Sequence, residues 1–482
     1  MSHTDCQGKE LSACCPKAEI SLGTYIVFPA VAVLLGWGLR GYIGGGPFAA
    51  LIPGAFLSLS LSLLLRHDTA MACQTALFCT VGLAFGGEMT YGQTLGLATA
   101  PETFWWGMLG VTLKGGIWGL LGGALLGAGL VLRRYETKRL FLACLLIPVT
   151  SFIGWKIIND PQLIYFSDPT NPREESWAGL LFATVVFLAV LYGSADKKAK
   201  QMPLRFALWG LVGGAIGFGG GTLFLVYGPS LPVPQAWSNW WKAMEFFFGF
   251  MLGVFFGGCA WYYRGELAEE KAFVREKDRG LRDLLWFVPV IIFFFTLFPI
   301  LDTASTEGNA WYLRDLMHFI YTFVFLGGLC LILGLRSSPM TWQIVATLTV
   351  FHAVLDFNEW APAAGEPNFS IIARALILVL SIVGTGAAVL FLQKRRHFVP
   401  HLFQLLLWAC YGVSCLKVFA VKKWLLTDAD AGYRFINCWL DHYAIVPVFV
   451  IFTVSAVITA LYICRVYDES TGEVSLSVQE HG

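Results

Sequence analysis

The chain has 482 residues, of which 56% are hydrophobic and 13% charged, with a mean hydropathy of +0.64; this excludes a single soluble globular domain and makes the lipid bilayer its solvent. Its 33 basic and 32 acidic side chains give a formal charge of +1, so no basic excess exists to neutralise a phosphate backbone, and nucleic acid is not a partner. Many of the 18 tryptophans stand where an apolar run meets a polar loop, the place of rings anchored at headgroup level.

Residues 1–20 are polar and carry both charge signs, unlike a cleavable signal peptide, which leaves the first span as the targeting signal. His3, Cys6, Cys14 and Cys15 in this tail match no zinc spacing, and solvated chain is the reading adopted for it. The 12 cysteines lie mostly in spans or in the tail, and offer no disulfide framework.

Measured against the roughly 17 to 25 apolar residues that a transmembrane helix needs, the sequence predicts an all-α polytopic fold of about 14 spans. They are 21–39, 47–65, 70–90, 104–132, 140–158, 177–194, 204–227, 240–263, 284–301, 313–335, 340–357, 371–393, 399–421 and 443–464. The second and third are close enough for a re-entrant pair, so the working range is about 12 to 14. With the N-terminus inside, the bases Arg133, Arg134, Lys138 and Arg139, then Lys197, Lys198, Lys200 and Arg205, those from Arg264 to Arg282, and Lys394, Arg395 and Arg396 all fall on the cytoplasmic side. Short cytoplasmic loops retain Lys and Arg. The expectation is therefore a multi-pass protein of the cytoplasmic membrane with both termini cytoplasmic.

An internal duplication is also expected. Pro29 with Gly36 and Trp37 in the first span is echoed by Pro148 with Gly154 and Trp155 in the fifth, and Gly86–Thr90 by Gly219–Thr222. Trp105-Trp106 precedes Gly122-Gly123 by the interval that separates Trp240-Trp241 from Gly257-Gly258. A shift of four spans preserves direction, so these would be parallel repeats. The domain plan is a polar tail (1–20), two four-helix repeats (21–135 and 136–263), a charged and solvated helical connector (264–283), six further helices (284–465) and a cytoplasmic tail (466–482).

Glycines in the spans let backbones approach closely, because lipid gives helices no hydrophobic reason to associate. A sharper reading makes the clusters near Gly44, Gly86 and Gly219 into helix breaks that offer backbone groups to a solute.

Each charge in the bilayer needs a reason, since it costs at least about 2.5 to 3.5 kcal/mol. Lys114 lies about ten residues into the fourth span, roughly 15 Å deep and near the midplane. Glu88 and Glu245, one in each repeat, are the acids expected to meet it, and these three are the candidate substrate-binding or coupling residues. A second group lies in the last six spans: His318, His352 and His442, each with an acid nearby, Asp315, Asp356 and Asp441. Asp315/His318 and His352/Asp356 are three and four apart, on one helix face, with Arg314 and Glu359 at the same level. Imidazole with carboxylate suits a zinc site, a proton relay or a polar vestibule equally.

No HExxH, phosphate-cradling GxxxxGK[ST] or potassium-filter TVGYG occurs. The leading expectation is an ion-coupled transporter of a small polar or anionic solute, without cofactor or metal, in which an enzyme is the less favoured reading. The first alternative is a membrane enzyme acting at the outer face on a lipid or lipid-linked substrate. It would use His318, His352, His442, Asp315, Asp356 and Asp441 as acid/base groups, or His318, His352, Asp356 and His442 as zinc ligands. The second is a structural or assembly subunit. The partners implied are the bilayer and a small solute or lipid, and a homo-oligomer is compatible with the sequence.

Overall fold

The computed structural model describes residues 20–43, 46–235, 238–270, 320–335, 338–363, 371–395, 397–416 and 445–479. Among them are helices and no strand. In chain order these are α1 (Leu22–Ile43), α2 (Gly46–Ala49), α3 (Leu51–Leu64), α4 (Thr69–Gly86), α5 (Gly92–Thr99), α6 (Phe104–Leu130), α7 (Thr137–Gly154) and α8 (Trp177–Tyr192). There follow α9 (Lys197–Tyr227), α10 (Trp240–Tyr262), α11 (Arg264–Ala268), a π-helix (Ile320–Cys330) running into α12 (Leu331–Gly334), α13 (Ser338–Ala363), α14 (Ile371–Gln393), α15 (Phe398–Leu416) and α16 (Ile445–Gln479). Among the described residues, ten stretches are long and apolar enough to cross a membrane, and 177–192, 322–334 and 340–350 are shorter apolar helices. The architecture is all-helical and of multi-pass membrane type. Stretches 46–64, made of α2 and α3, and 69–86, which is α4, are each of spanning length, where the sequence left a re-entrant pair open. The expected span 284–301 lies outside the described residues.

Six helices close a ring in which α1, α3, α4, α6, α9 and α10 follow one another and α10 returns to α1. Glycine contacts show that neighbours run antiparallel. On α6, Gly115, Gly119, Gly123 and Gly127 recur every fourth residue, and a Cβ on any of them would strike backbone of Gly214, Gly210, Phe206 or Met202 of α9 respectively. On α10, Gly249, Gly253 and Gly257 lie in the same way against Val33, Pro29 and Tyr25 of α1. Small residues repeated at four allow helix backbones to touch where lipid provides no driving force. Gly219, Gly220 and Gly221 lie inside the continuous α9, packed on Thr112, Phe247 and Met244. They are a packing face and not a break. Gly86 ends α4, and Gly46, the first residue of α2, holds a positive φ of 77°.

Prolines inside these helices release carbonyls that other groups then take up. Pro203 cannot donate to Ala199 O four residues back, and the Tyr135 hydroxyl donates to that oxygen at 2.7 Å. Pro29 likewise frees Tyr25 O, against which Gly257 is packed. The Tyr25 hydroxyl donates to Leu64 O at the last turn of α3, one of the four carbonyls a helix end leaves open.

The α7–α8 hairpin stands outside the ring, with α7 also against the π-helix and α8 against α6 and α9. In the C-terminal region, α16 packs on α1, α3 and α15, and α13 on α4, α14 and α15.

The ring end that carries Arg134 is tied by ion pairs. Arg134 meets Asp196 at 2.9 Å and Glu270 at 2.7 Å, Lys198 meets Glu270 at 3.4 Å, and Arg205 meets Glu266 at 3.5 Å. The Arg205 guanidinium also lies 4.3 Å from the Tyr263 ring centroid. The Glu270 side chain is 3% exposed and Leu267 is buried. The start of the stretch expected as a solvated connector is thus docked, because its acids find three bases on α9 and the α6–α7 turn; residues 271–283 lie outside the described residues.

Candidate functional site

The opposite end of the ring, which carries Tyr91, gathers buried charge. Lys114 is 1% exposed, and its ammonium donates to Glu175 Oε1 at 2.7 Å, Thr90 O at 2.7 Å and Thr94 Oγ1 at 2.8 Å. All three donors are used. The acid it meets is Glu175, and neither Glu88 nor Glu245. Lys114 lies ten residues into α6, as the sequence implied. With 27 residues, α6 is about 40 Å long against a core of about 30 Å. Gly86, the last residue of α4, lies on Trp118. Lys114 is one turn farther on, past the end of α4 and beside α5.

Glu175 is delivered by the loop between α7 and α8. After α7 the chain makes a π-turn, Trp155–Asn159, which brings Asn159 Oδ1 to accept from Ala178 N (3.0 Å) and Gly179 N (3.3 Å) in the first turn of α8. Tyr165 closes the loop: its hydroxyl accepts from Arg173 N at 2.6 Å and donates to Arg173 O at 2.9 Å. Gln93 holds the loop down from α5, donating to Asn171 O at 2.8 Å and accepting from Asp168 N at 3.2 Å, while Thr90 Oγ1 donates to Glu174 O at 2.7 Å. The Glu175 carboxylate accepts further bonds from Ser167 Oγ (2.8 Å), Phe166 N (3.2 Å) and Trp177 Nε1 (3.2 Å). A buried ion pair compensates its desolvation only when such bonds satisfy its remaining atoms, and here they do.

Arg40, near the end of α1, is 2% exposed. Its Nη1 donates to the Tyr91 hydroxyl at 2.7 Å, and its guanidinium carbon lies 5.1 to 5.7 Å from the ring centroids of Trp118, Trp37 and Tyr91. These rings continue inward, with Trp37 at 4.7 Å from Trp118 and 4.4 Å from Phe248. On α10, Lys242 and Glu245 form a second buried ion pair three residues apart, and Trp241 Nε1 donates to Glu245 at 3.0 Å. The Glu245 carboxylate rests on Gly41 of α1, where any side chain would displace it. The Lys242 ammonium is 5.5 Å from the Tyr42 ring centroid, and Trp241 stacks on Tyr91 at 6.2 Å.

The three residues singled out from sequence do not touch one another, but one short segment joins their surroundings. Residues 87–94, from the end of α4 into the first turn of α5, contain Glu88, which accepts from Thr322 Oγ1 of the π-helix at 2.8 Å. They also supply Thr90 and Thr94 to Lys114, and Tyr91 to Arg40 and to the Trp241 that holds Glu245. Sequence reasoning passed over Glu175, Arg40, Tyr91 and Lys242. For Lys242 a signal existed, since it precedes Glu245 by three positions on a helix.

The His/Asp group cannot be assembled in this way. Asp315, His318, Asp441 and His442 lie outside the described residues, and of His352 and Asp356 only their place in α13 is described. Among the described residues, no cluster of three or more His, Cys, Asp and Glu side chains could hold a metal ion. Compared with known proteins, the chain matches no family model, no curated protein and no solved structure.

Proposed function

We propose that the protein is an ion-coupled secondary transporter of a small polar or anionic solute. The observation that supports this is the gathering of buried ionisable side chains from α1, α6, α10 and the α7–α8 loop around residues 87–94, at one end of an apolar helical ring. Ionisable groups within membrane helices are costly and mark solute or ion paths by default. Two ion pairs and an arginine around one segment exceed what helix packing needs, because the glycine faces already hold α6 to α9 and α1 to α10. In this reading the bases Arg133, Arg134, Lys197, Lys198 and Arg264 support a cytoplasmic position for the opposite end by the positive-inside rule, which would put both termini in the cytoplasm and the site on the outer side of the cytoplasmic membrane. Coupling would follow from protonation or ion binding at Glu88 or Glu245, biasing one access state over the other. The parallel four-helix duplication stays part of this reading on the sequence echoes alone, Pro29 and Trp37 with Pro148 and Trp155, and Trp105-Trp106 with Trp240-Trp241.

The test is uptake of radiolabelled solutes into proteoliposomes under an imposed proton or sodium gradient. The reading expects gradient-dependent uptake of at least one polar or anionic solute, abolished by Glu245→Gln in a protein that still reconstitutes. Uptake equal to that of empty liposomes under both gradients, across amino acids, carboxylates, sugars and inorganic anions, would overturn it.

A further inference from the structure

Arg40 differs from the other buried cations at this end of the ring. Lys114 has Glu175 and Lys242 has Glu245, whereas among the described residues no carboxylate lies within ion-pair distance of Arg40. Its hydrogen bond to a neutral phenol uses Nη1, and Nε is buried without a partner. Cation–π contact with three rings offsets part of the desolvation, at about 0.5 to 2 kcal/mol each, but rings accept none of the in-plane N–H bonds. With Nη1 engaged by Tyr91 and Nε buried without a partner, the Nε–Nη2 edge remains for a ligand. That edge carries two parallel N–H groups, which match the two oxygens of a carboxylate.

We infer that Arg40 is the anion-recognition residue of the transport site, and that it binds the carboxylate of a small monocarboxylate through its Nε–Nη2 edge. This rests on the transporter reading and names its substrate class. The charge balance selects one negative charge: the Lys114–Glu175 and Lys242–Glu245 pairs cancel internally, Glu88 is turned to Thr322 on the π-helix, and Arg40 is left with a single positive charge to neutralise. The neighbours select an apolar remainder. Trp37, Trp118, Phe218 and Phe248 form a continuous aromatic contact beside the guanidinium, where a second charge or a hydroxyl-rich body would find no partner. Tyr91 serves as a positioning residue, since its hydroxyl fixes the rotation of the guanidinium and thereby which edge is presented.

The experiment measures binding of benzoate and butyrate, each beside its neutral isostere benzamide or butyramide, to the detergent-purified full chain by tryptophan fluorescence and thermal shift. The inference expects a carboxylate to bind and its amide to bind at least about tenfold more weakly, the scale of a lost charge-assisted bidentate contact. It expects Arg40→Lys, which keeps the charge and loses the fork, to weaken carboxylate binding by a similar factor, and Tyr91→Phe to weaken it less. Equal binding of acid and amide by the wild type, equal binding of the acid by Arg40→Lys, or no binding of either acid would each overturn it. The comparison of acid with amide on the wild type holds even if the variants fail to fold. Solute uptake that Arg40→Lys leaves unchanged would refute this assignment while sparing the transporter reading; Arg40-dependent binding without any uptake would refute the transporter reading and keep the site.

Discussion

Lys114 on α6 and Glu175 at the end of the α7–α8 loop are 61 positions apart in sequence and meet at 2.7 Å, each side chain 1% exposed. The pair therefore fastens an extramembrane loop to the transmembrane ring. Removing one partner strands a buried charge, at a cost of about 3 to 5 kcal/mol. Glu175→Gln and Lys114→Met should each lower the unfolding midpoint in detergent by several degrees, and Lys114→Met/Glu175→Met together should recover most of the loss. Single variants as stable as the wild type would show the pair to be dispensable.

The glycine faces carry the ring. Gly119 and Gly210 touch backbone to backbone, and a Cβ on either would strike the carbonyl of the other. Gly119→Leu and Gly210→Leu are expected to prevent recovery of monodisperse protein, because α6 and α9 would have to separate. Gly96, in α5 with open space where its Cβ would lie, supplies the contrast. Gly96→Ala should be neutral or stabilising by about 0.5 to 1 kcal/mol, as read by thermal unfolding followed by size-exclusion chromatography.

Tyr135 and Pro203 should be coupled. Tyr135→Phe removes the donor from the carbonyl that Pro203 leaves open and should cost about 1 to 3 kcal/mol. In the Pro203→Ala background the helix supplies its own N–H to Ala199 O, and the same substitution should cost less. A double-mutant cycle on unfolding midpoints measures the difference; strict additivity would disprove the link.

At the Arg134 end, His67 in the turn between α3 and α4 has both ring nitrogens shut off from solvent. Burial lowers it from its ordinary 6.5 to about 4, against the opposing influence of the Leu267 backbone, Asp68 and Glu270. A histidine depressed in the folded state binds fewer protons than in the unfolded state between those values. Its contribution is thus whole above about pH 6.5 and is lost as the pH falls toward 4. Thermal midpoints should decline across that window, and His67→Gln should flatten the decline; an unchanged slope would refute the assignment.

Ten of the fourteen segments read from hydropathy coincide with helices, among the described residues, long and apolar enough to cross a membrane, and three more overlap the shorter apolar helices 177–192, 322–334 and 340–350; a bilayer imposes a length and a composition that hydropathy can read. The glycine spacing on α6 likewise made a packing face legible. Pairing across the chain was not legible. Lys114 is conspicuous because it interrupts an apolar span, but Glu175 stands in a polar loop where an acid attracts no notice, and only the Tyr165, Asn159 and Gln93 bonds turn it inward. Arg40 reads as an ordinary interfacial arginine at a helix end. What buries it is Tyr91, which reaches it from the segment after α4. Glu245 was legible as a buried acid, and its partner Lys242 could have been read from the spacing of three.

The most direct test of coupled transport is accumulation against a gradient. A monoanion carried with one proton or sodium ion moves no net charge, so the readout is the solute itself: proteoliposomes loaded with a trapped pH indicator are given a proton or sodium gradient and labelled benzoate, or another solute found to be taken up. The account predicts accumulation above the external concentration that needs the gradient, absent in Glu245→Gln and sharply reduced in Arg40→Lys. Solute entry that only equilibrates whatever the gradient, or accumulation identical in wild type and Glu245→Gln, would contradict it.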